Sequence, residues 1–140
     1  MKTSMRDNAV AAVNLLAGFI MAAAPKVWAR PCEGMMTLEN GNQAHMRCFY
    51  SGQALVVLGI ILLVNALIML FAKNKLQGGM VAVATGILSF FVTTDTGLGI
   101  GICAHAGMAC HVMASWSKLA AGLIIITGII LVVFSMKDKK

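Results

Sequence analysis

Residues 52–72 read GQALVVLGIILLVNALIMLFA, and Asn65 is the only strongly polar residue from Ala54 to Ala72. About 20 consecutive apolar residues, wound as an α-helix, cross the hydrocarbon core of a bilayer. This stretch therefore predicts a transmembrane helix. The class of the protein follows from it, because a soluble domain has no means of covering so long an apolar run on every side.

The composition of the whole chain agrees with that class. The 140 residues are 59% hydrophobic and 11% charged, which leaves too little polar surface to cover a water-soluble globule. The formal net charge is +6, but the Lys and Arg residues are scattered and no aromatic residues alternate with them. This pattern favours contact with the membrane surface over binding of nucleic acid.

Three further apolar segments have lengths close to that of a bilayer crossing. The predicted spans are residues 9–27, 52–72, 79–98 and 119–136, with outer loops 28–51 and 99–118. We expect an all-α integral membrane fold in a single domain over residues 1–140, a bundle of four transmembrane helices made of two similar helical hairpins. The first span has an alternative interpretation as a cleaved signal peptide, against which its length and the position of Trp28 argue.

Basic residues are unevenly distributed between the two sides of the predicted membrane. Loops that stay in the cytoplasm carry more Lys and Arg than loops that cross the membrane. One side has seven such residues, namely Lys2, Arg6, Lys73, Lys75, Lys137, Lys139 and Lys140, and the other has four, namely Lys26, Arg30, Arg47 and Lys118. We therefore predict a multi-pass protein of the cell membrane with both termini in the cytoplasm.

All four cysteines fall in the two outer loops, Cys32 and Cys48 in the first and Cys103 and Cys110 in the second. Cys48 and Cys110 each end a Met-x-Cys sequence, so the two loops resemble each other. An extracytoplasmic compartment is oxidising, and the default expectation is two disulfides that stabilise the loops. Four cysteines allow three pairings, which stay open. We expect a cysteine-bearing cap on the extracytoplasmic face of the bundle.

A soft-metal site is the alternative, because thioethers and imidazoles accompany the thiols. Thiolate and thioether sulfur select Cu(I), and Cys with His suits Zn(II). Six residues separate one cysteine pair and fifteen the other, which matches no standard zinc spacing. Thiol–disulfide exchange is a further alternative, although the chain has no Cys-x-x-Cys pair. The candidate metal ligands are Cys48, Cys103, Cys110, Met46, Met108, His105 and His111.

Transport and enzymatic functions have little support in the sequence. Ion coupling needs ionisable groups inside the membrane, and the only strongly polar residues deep in the spans are Asn14 and Asn65, which we expect to form interhelical hydrogen bonds. Asp95, near the outer end of the third span, is either a turn residue or a carboxylate at the outer mouth. No nucleotide-binding loop and no set of nucleophile and base is visible. We expect a protein that is not an enzyme and that needs no cofactor unless the thiols bind a metal.

Two motifs carry a resemblance to a known family. Residues 45–54 read HMRCFYSGQA before the second span, and residues 100–111 read IGICAHAGMACH before the fourth. Over residues 31–131 the chain resembles a bacterial family of four-span membrane proteins, the domain of unknown function DUF4418, in which His frequently stands where this chain has Phe49. The resemblance implies an accessory or scaffold subunit of a membrane complex such as an ABC transporter. The partners it implies are the lipid bilayer and another membrane protein or further copies of this chain.

Overall fold

The computed structural model describes residues 2–72, 75–97, 99–104, 107 and 109–140. In this part of the chain there are four helices, each long and apolar enough to cross a membrane, and one antiparallel pair of short strands. In chain order they are α1 (Lys2–Val27), β1 (Met35–Thr37), β2 (Gln43–His45), α2 (Arg47–Ala72), α3 (Lys75–Val92) and α4 (Ala109–Asp138). The prediction of a helical multi-pass membrane protein is confirmed.

The helices differ in extent from the apolar segments that predict them. Helix α2 begins at Arg47 and helix α4 at Ala109, well before the predicted spans at 52 and 119, because side chains of their first turns are buried against the protein. Helix α3 ends at Val92, whereas its span was predicted to reach Leu98, which lies outside the described residues. The hydroxyl group of Thr94 donates a hydrogen bond of 2.7 Å to the Phe90 carbonyl at this end of the helix.

Neighbouring helices in the sequence are also neighbours in space. Helix α1 packs against α2 and α4, and helix α3 packs against α4 and α2. Glycines allow the closest approaches: a Cβ atom at Gly59 of α2 would lie 2.6 Å from the backbone nitrogen of Ala22 on α1. In the second pair, a Cβ atom at Gly128 of α4 would lie 3.1 Å from the carbonyl oxygen of Gly79 on α3. Small residues thus bring the helices of both pairs into backbone contact.

An ion pair and a cation–π contact join helices to one another at the end of the bundle that holds the N-terminus. Lys75, at the start of α3, forms an ion pair with Asp7 in α1. The guanidinium group of Arg6 lies 3.9 Å from the centre of the Phe134 ring near the end of α4, a cation–π contact. The starts of α1 and α3 and the end of α4 therefore lie together. The opposite end, where α1 and α3 end and α2 and α4 begin, is called the cysteine end below.

Hydrogen bonds inside the bundle join each of the two buried asparagines to another helix, although the Nδ2 atom of Asn14 has no partner among the described residues. Asn14 of α1 accepts a hydrogen bond of 3.1 Å from the hydroxyl group of Thr127 on α4. Asn65 of α2 donates one of 3.0 Å to the carbonyl oxygen of Gly78 on α3. Both asparagines thus join different helices, as the sequence predicts, and such bonds are each worth about 0.6 kcal/mol on average in membrane proteins.

Candidate functional site

The four cysteine side chains meet at the cysteine end. All four Sγ atoms lie within 4.8 Å of one another, and the Sγ atoms of Cys48 and Cys103 are 3.2 Å apart. Cys48 and Cys110 are buried, whereas Cys32 and Cys103 are half-buried. This group of four residues is called the thiol cluster. The two half-buried cysteines lie in the segments before α2 and α4, and the two buried ones lie on the first turns of these helices.

A β-hairpin brings Cys32 next to Cys48. Strands β1 and β2 pair in antiparallel register, with Met35 opposite His45 and Thr37 opposite Gln43. At the tip, the amide nitrogen of Gly41 donates a hydrogen bond of 2.9 Å to the Leu38 carbonyl, and Gly41 has a φ angle of +76° that glycine adopts without strain. The chain therefore leaves Cys32, reverses direction and returns to Cys48 on the first turn of α2.

The second half of the thiol cluster is held by hydrogen bonds to the segment that follows α3. The hydroxyl group of Ser51, on α2, donates a buried hydrogen bond of 2.7 Å to the carbonyl oxygen of Gly101. Gly101 has a φ angle of +79°, and its amide nitrogen bonds to the Val92 carbonyl at 3.2 Å. Two residues later the chain reaches Cys103. Ser51 is a positioning residue that the sequence did not single out, because nothing in its local pattern reports a partner fifty residues away.

The imidazole of His111 fixes the same segment from the other side. Its Nε2 atom lies 3.0 Å from the carbonyl oxygen of Cys103. A carbonyl oxygen only accepts hydrogen bonds, so Nε2 carries the proton and donates it. The sequence predicts His111 as a metal ligand; in the structure its Nε2 atom contacts the backbone of a cysteine in the thiol cluster.

The other predicted site residues lie at different places in the structure. The side chain of Met46 packs over Gly34, with its Cε atom 3.0 Å from the position that a Cβ atom would occupy there. Asp95 is exposed in the turn region after α3, beside Gly101, which fits its interpretation as a turn residue. His105 and Met108 lie outside the described residues. Cys32 was predicted only as a disulfide or thiol residue, and it joins the three cysteines predicted as ligands.

The thiol of Cys103 is held in its neutral form by its surroundings. Burial raises the pKa of the Cys103 thiol to about 12, and hydrogen bonds with Cys48 and Cys110 contribute to the rise. Thiolates packed this closely would repel one another, so a deprotonated cluster needs a cation among the sulfurs. A coordinated metal ion supplies that charge and lowers the pKa of each thiol that it binds.

The separations of the sulfur atoms permit two kinds of chemistry. Four thiolates bound to Zn(II) at about 2.3 Å in a tetrahedron are about 3.8 Å from one another, and the cluster has all four sulfurs within 4.8 Å. Small side-chain rotations are therefore enough to place all four around one ion. The same proximity allows a disulfide between Cys48 and Cys103, which are the two cysteines at 3.2 Å.

Four apolar membrane-spanning helices and a four-thiol cluster at one end of the bundle define the class of the molecule, a multi-pass integral membrane protein with a cysteine site. The chain belongs to the DUF4418 family, described as a domain of unknown function, whose profile matches residues 14–135. No curated protein and no solved structure matches the chain. The matched range contains all four cysteines.

Proposed function

We propose that the protein is a non-enzymatic integral membrane protein that binds one soft metal ion, Cu(I) or Zn(II), in its thiol cluster. The observation that carries the proposal is the convergence of all four Sγ atoms within 4.8 Å. Soft anionic sulfur is the donor that these two ions share. Bound in this way, the ion links two similar helical hairpins, α1 with α2 and α3 with α4, through a cap at one face of the membrane.

Convergence of all four sulfurs distinguishes this proposal from simple stabilisation of loops. Two disulfides, Cys32 with Cys48 and Cys103 with Cys110, require each pair to be close but do not require the pairs to approach each other. A single ion requires all four donors at one point. The approach of Cys48 to Cys103 across the two helical hairpins is left unexplained by disulfides within each loop. A disulfide between Cys48 and Cys103 would explain it as well, and mass spectrometry under non-reducing conditions detects such a bond.

The distribution of charge supports an extracytoplasmic position for the thiol cluster. Arg6 and Lys75 lie at the opposite end of the bundle, in contact with Phe134 and Asp7 respectively. The basic residues at that end outnumber those near the cysteines, and the richer end stays in the cytoplasm. Both termini are then cytoplasmic, and the thiol cluster meets metal ions outside the cell membrane.

Metal analysis of the intact protein tests the proposal. Protein purified in detergent without chelators, reduced, supplied with Cu(I) or Zn(II) and then desalted is expected to retain one ion per chain. The bound ion is also expected to protect the four thiols from maleimide labelling until a chelator is added. Protein whose thiols are alkylated beforehand is the control. Retention of no ion, or four cysteines paired in disulfides by non-reducing mass spectrometry, would contradict the proposal.

A second candidate function is an accessory or scaffold subunit of a membrane complex such as an ABC transporter, with disulfide-stabilised outer loops. It is favoured by apolar side chains exposed on the β-hairpin, where Met35, Met36 and Leu38 are 57%, 58% and 49% exposed. Neighbouring apolar side chains in water suit a protein partner.

Co-purification in a gentle detergent tests this second function. The protein is expected to recover one stoichiometric membrane partner or a second copy of itself, and Met36→Gln is expected to reduce that recovery. Exposed Met5, at the other end of the bundle, gives the control Met5→Gln. Recovery of the chain alone as a monomer would contradict an accessory or scaffold role.

A further inference from the structure

The β-hairpin between Cys32 and Cys48 is rich in soft donor atoms. It carries three thioether sulfurs and one imidazole within the residues that connect the first two cysteines of the thiol cluster. Two of the thioether side chains are more than half exposed, although methionine is ordinarily a buried residue. The donors are Met35, Met36, His45 and Met46.

The strand register places a thioether beside the imidazole. Met35 and His45 are directly opposite in the antiparallel pair. Side chains of opposite residues lie on the same face, with Cβ atoms about 5 Å apart. The imidazole of His45 stacks on the Phe49 ring at 4.3 Å, and its Nδ1 atom is buried without a hydrogen-bond partner among the described residues. The ring is thus held in place, and no hydrogen bond among the described residues competes for its buried Nδ1 atom.

Met46 connects this pair to the thiol cluster. Its amide nitrogen donates a hydrogen bond of 3.4 Å to the Gly34 carbonyl, and its Sδ atom lies 3.6 Å from the position of a Cβ atom on Gly34. Gly34 follows Cys32 by two residues, and Met46 precedes Cys48 by two. At the base of the hairpin a thioether therefore packs on a residue two positions from Cys32, and it belongs to a residue two positions from Cys48.

We propose that the β-hairpin is a Cu(I) acquisition site, in which Met35 and His45 capture the ion and Met46 hands it to the thiol cluster. This inference rests on the proposed function and selects Cu(I) from its two ions, because thioethers bind Cu(I) and Zn(II) prefers thiolate and imidazole. In the transfer, bonds from copper to thioether sulfur and imidazole nitrogen break and bonds to thiolates form. Each coordinating thiol releases its proton to water, and copper stays in the Cu(I) state throughout.

Leucine substitution separates metal capture from protein docking. Leucine is close to methionine in volume and polarity but has no sulfur. If the exposed methionines serve only as an apolar surface for a partner, the change is neutral. If they bind Cu(I), the change removes the donor and keeps the surface.

The experiment uses the full-length protein in detergent under nitrogen, with Cu(I) supplied from its bathocuproine disulfonate complex. The triple variant Met35→Leu, Met36→Leu, Met46→Leu is expected to take up Cu(I) at least about tenfold more slowly, as judged by thiolate–Cu(I) ultraviolet absorption. The final stoichiometry and the rate of Zn(II) uptake are expected to stay unchanged. The matched control is Met5→Leu with Met136→Leu, two exposed methionines at the other end of the bundle.

The possible results separate the two levels of the argument. A triple variant that takes up Cu(I) as fast as the wild type, with one ion still bound by the cysteines, overturns the acquisition site alone. A wild-type protein that retains no ion in the thiol cluster overturns the proposed function. In that case X-ray absorption of the Cu(I)-treated protein still reports whether thioether and imidazole donors bind the ion at the hairpin.

Discussion

Replacing Cys48 with serine is expected to weaken binding of Cu(I) and Zn(II) by more than about 100-fold, because a lost ligand costs more than the 10–100-fold typical of its supporting residues. Serine keeps nearly the size of cysteine but supplies a hard, weakly acidic oxygen in place of a soft sulfur. Cys48 is fully buried, so water has little access to take over the vacated position. Cys110→Ser, on helix α4 of the second helical hairpin, is expected to have an effect of similar size.

Competition with a chromophoric chelator measures this loss, and circular dichroism confirms that the helices persist. Ser117→Ala is the control, because Ser117 is buried on α4 and, within the part of the chain that the structure describes, its hydroxyl group bonds only inside that helix, at 2.8 Å to the Met113 carbonyl. The decisive observation is whether the Cys48→Ser change on the first helical hairpin alters the state of the two cysteines on the second. If Cys48→Ser leaves Cys103 and Cys110 joined as a disulfide and changes only the first loop, then the cysteines act as separate staples.

Replacing Gly59 with valine is expected to lower the free energy of unfolding by at least about 3 kcal/mol, the upper range for overpacked cores. A Cβ atom at this position would lie 2.6 Å from the backbone nitrogen and 2.9 Å from the Cα atom of Ala22. Backbone atoms of a packed helix do not rotate away as a side chain does. Helix α1 must therefore separate from α2, which also moves Cys32 away from Cys48.

Unfolding by a denaturing detergent in mixed micelles measures the effect, and metal affinity is expected to fall in the same variant. The matched control is Gly122→Val on α4, where a Cβ atom would meet nothing within 4 Å. The control makes the same Gly→Val change in a transmembrane helix but creates no close contact. Equal stabilities of the two variants would show that α1 and α2 do not approach as closely as Gly59 indicates.

Much of the fold is readable from the sequence because membrane insertion depends on local composition. The apolar run in residues 52–72 predicts α2 regardless of what surrounds it, since a backbone in hydrocarbon must satisfy its own hydrogen bonds. Asn14 and Asn65 are predicted to join helices for the same reason, as polar groups in lipid seek partners. Helix ends are less predictable: α4 begins at Ala109, because burial against protein, rather than hydrophobicity, extends the helix beyond the apolar segment.

The hairpin that brings Cys32 to Cys48 shows where a sequence signal was present but easily missed. Asn40 and Gly41 form an Asn-Gly pair, a common turn signal between short strands. The strands themselves have only three residues each, too few for an alternating pattern to stand out. The fifteen residues between Cys32 and Cys48 match no standard metal-site spacing. The turn nevertheless brings these two cysteines together, because it folds the intervening residues into a hairpin.

The sequence by itself determined the class of the molecule, its four spans and the position of every cysteine outside the apolar runs, at one side of the membrane-spanning segments. These properties depend on hydrophobicity and length, which each segment carries alone. Only the tertiary structure decided that the four thiols share one point and that Ser51 holds the segment leading to Cys103. That arrangement depends on a turn and on contacts between helices, in which residues some fifty positions apart find each other through packing rather than through any local pattern.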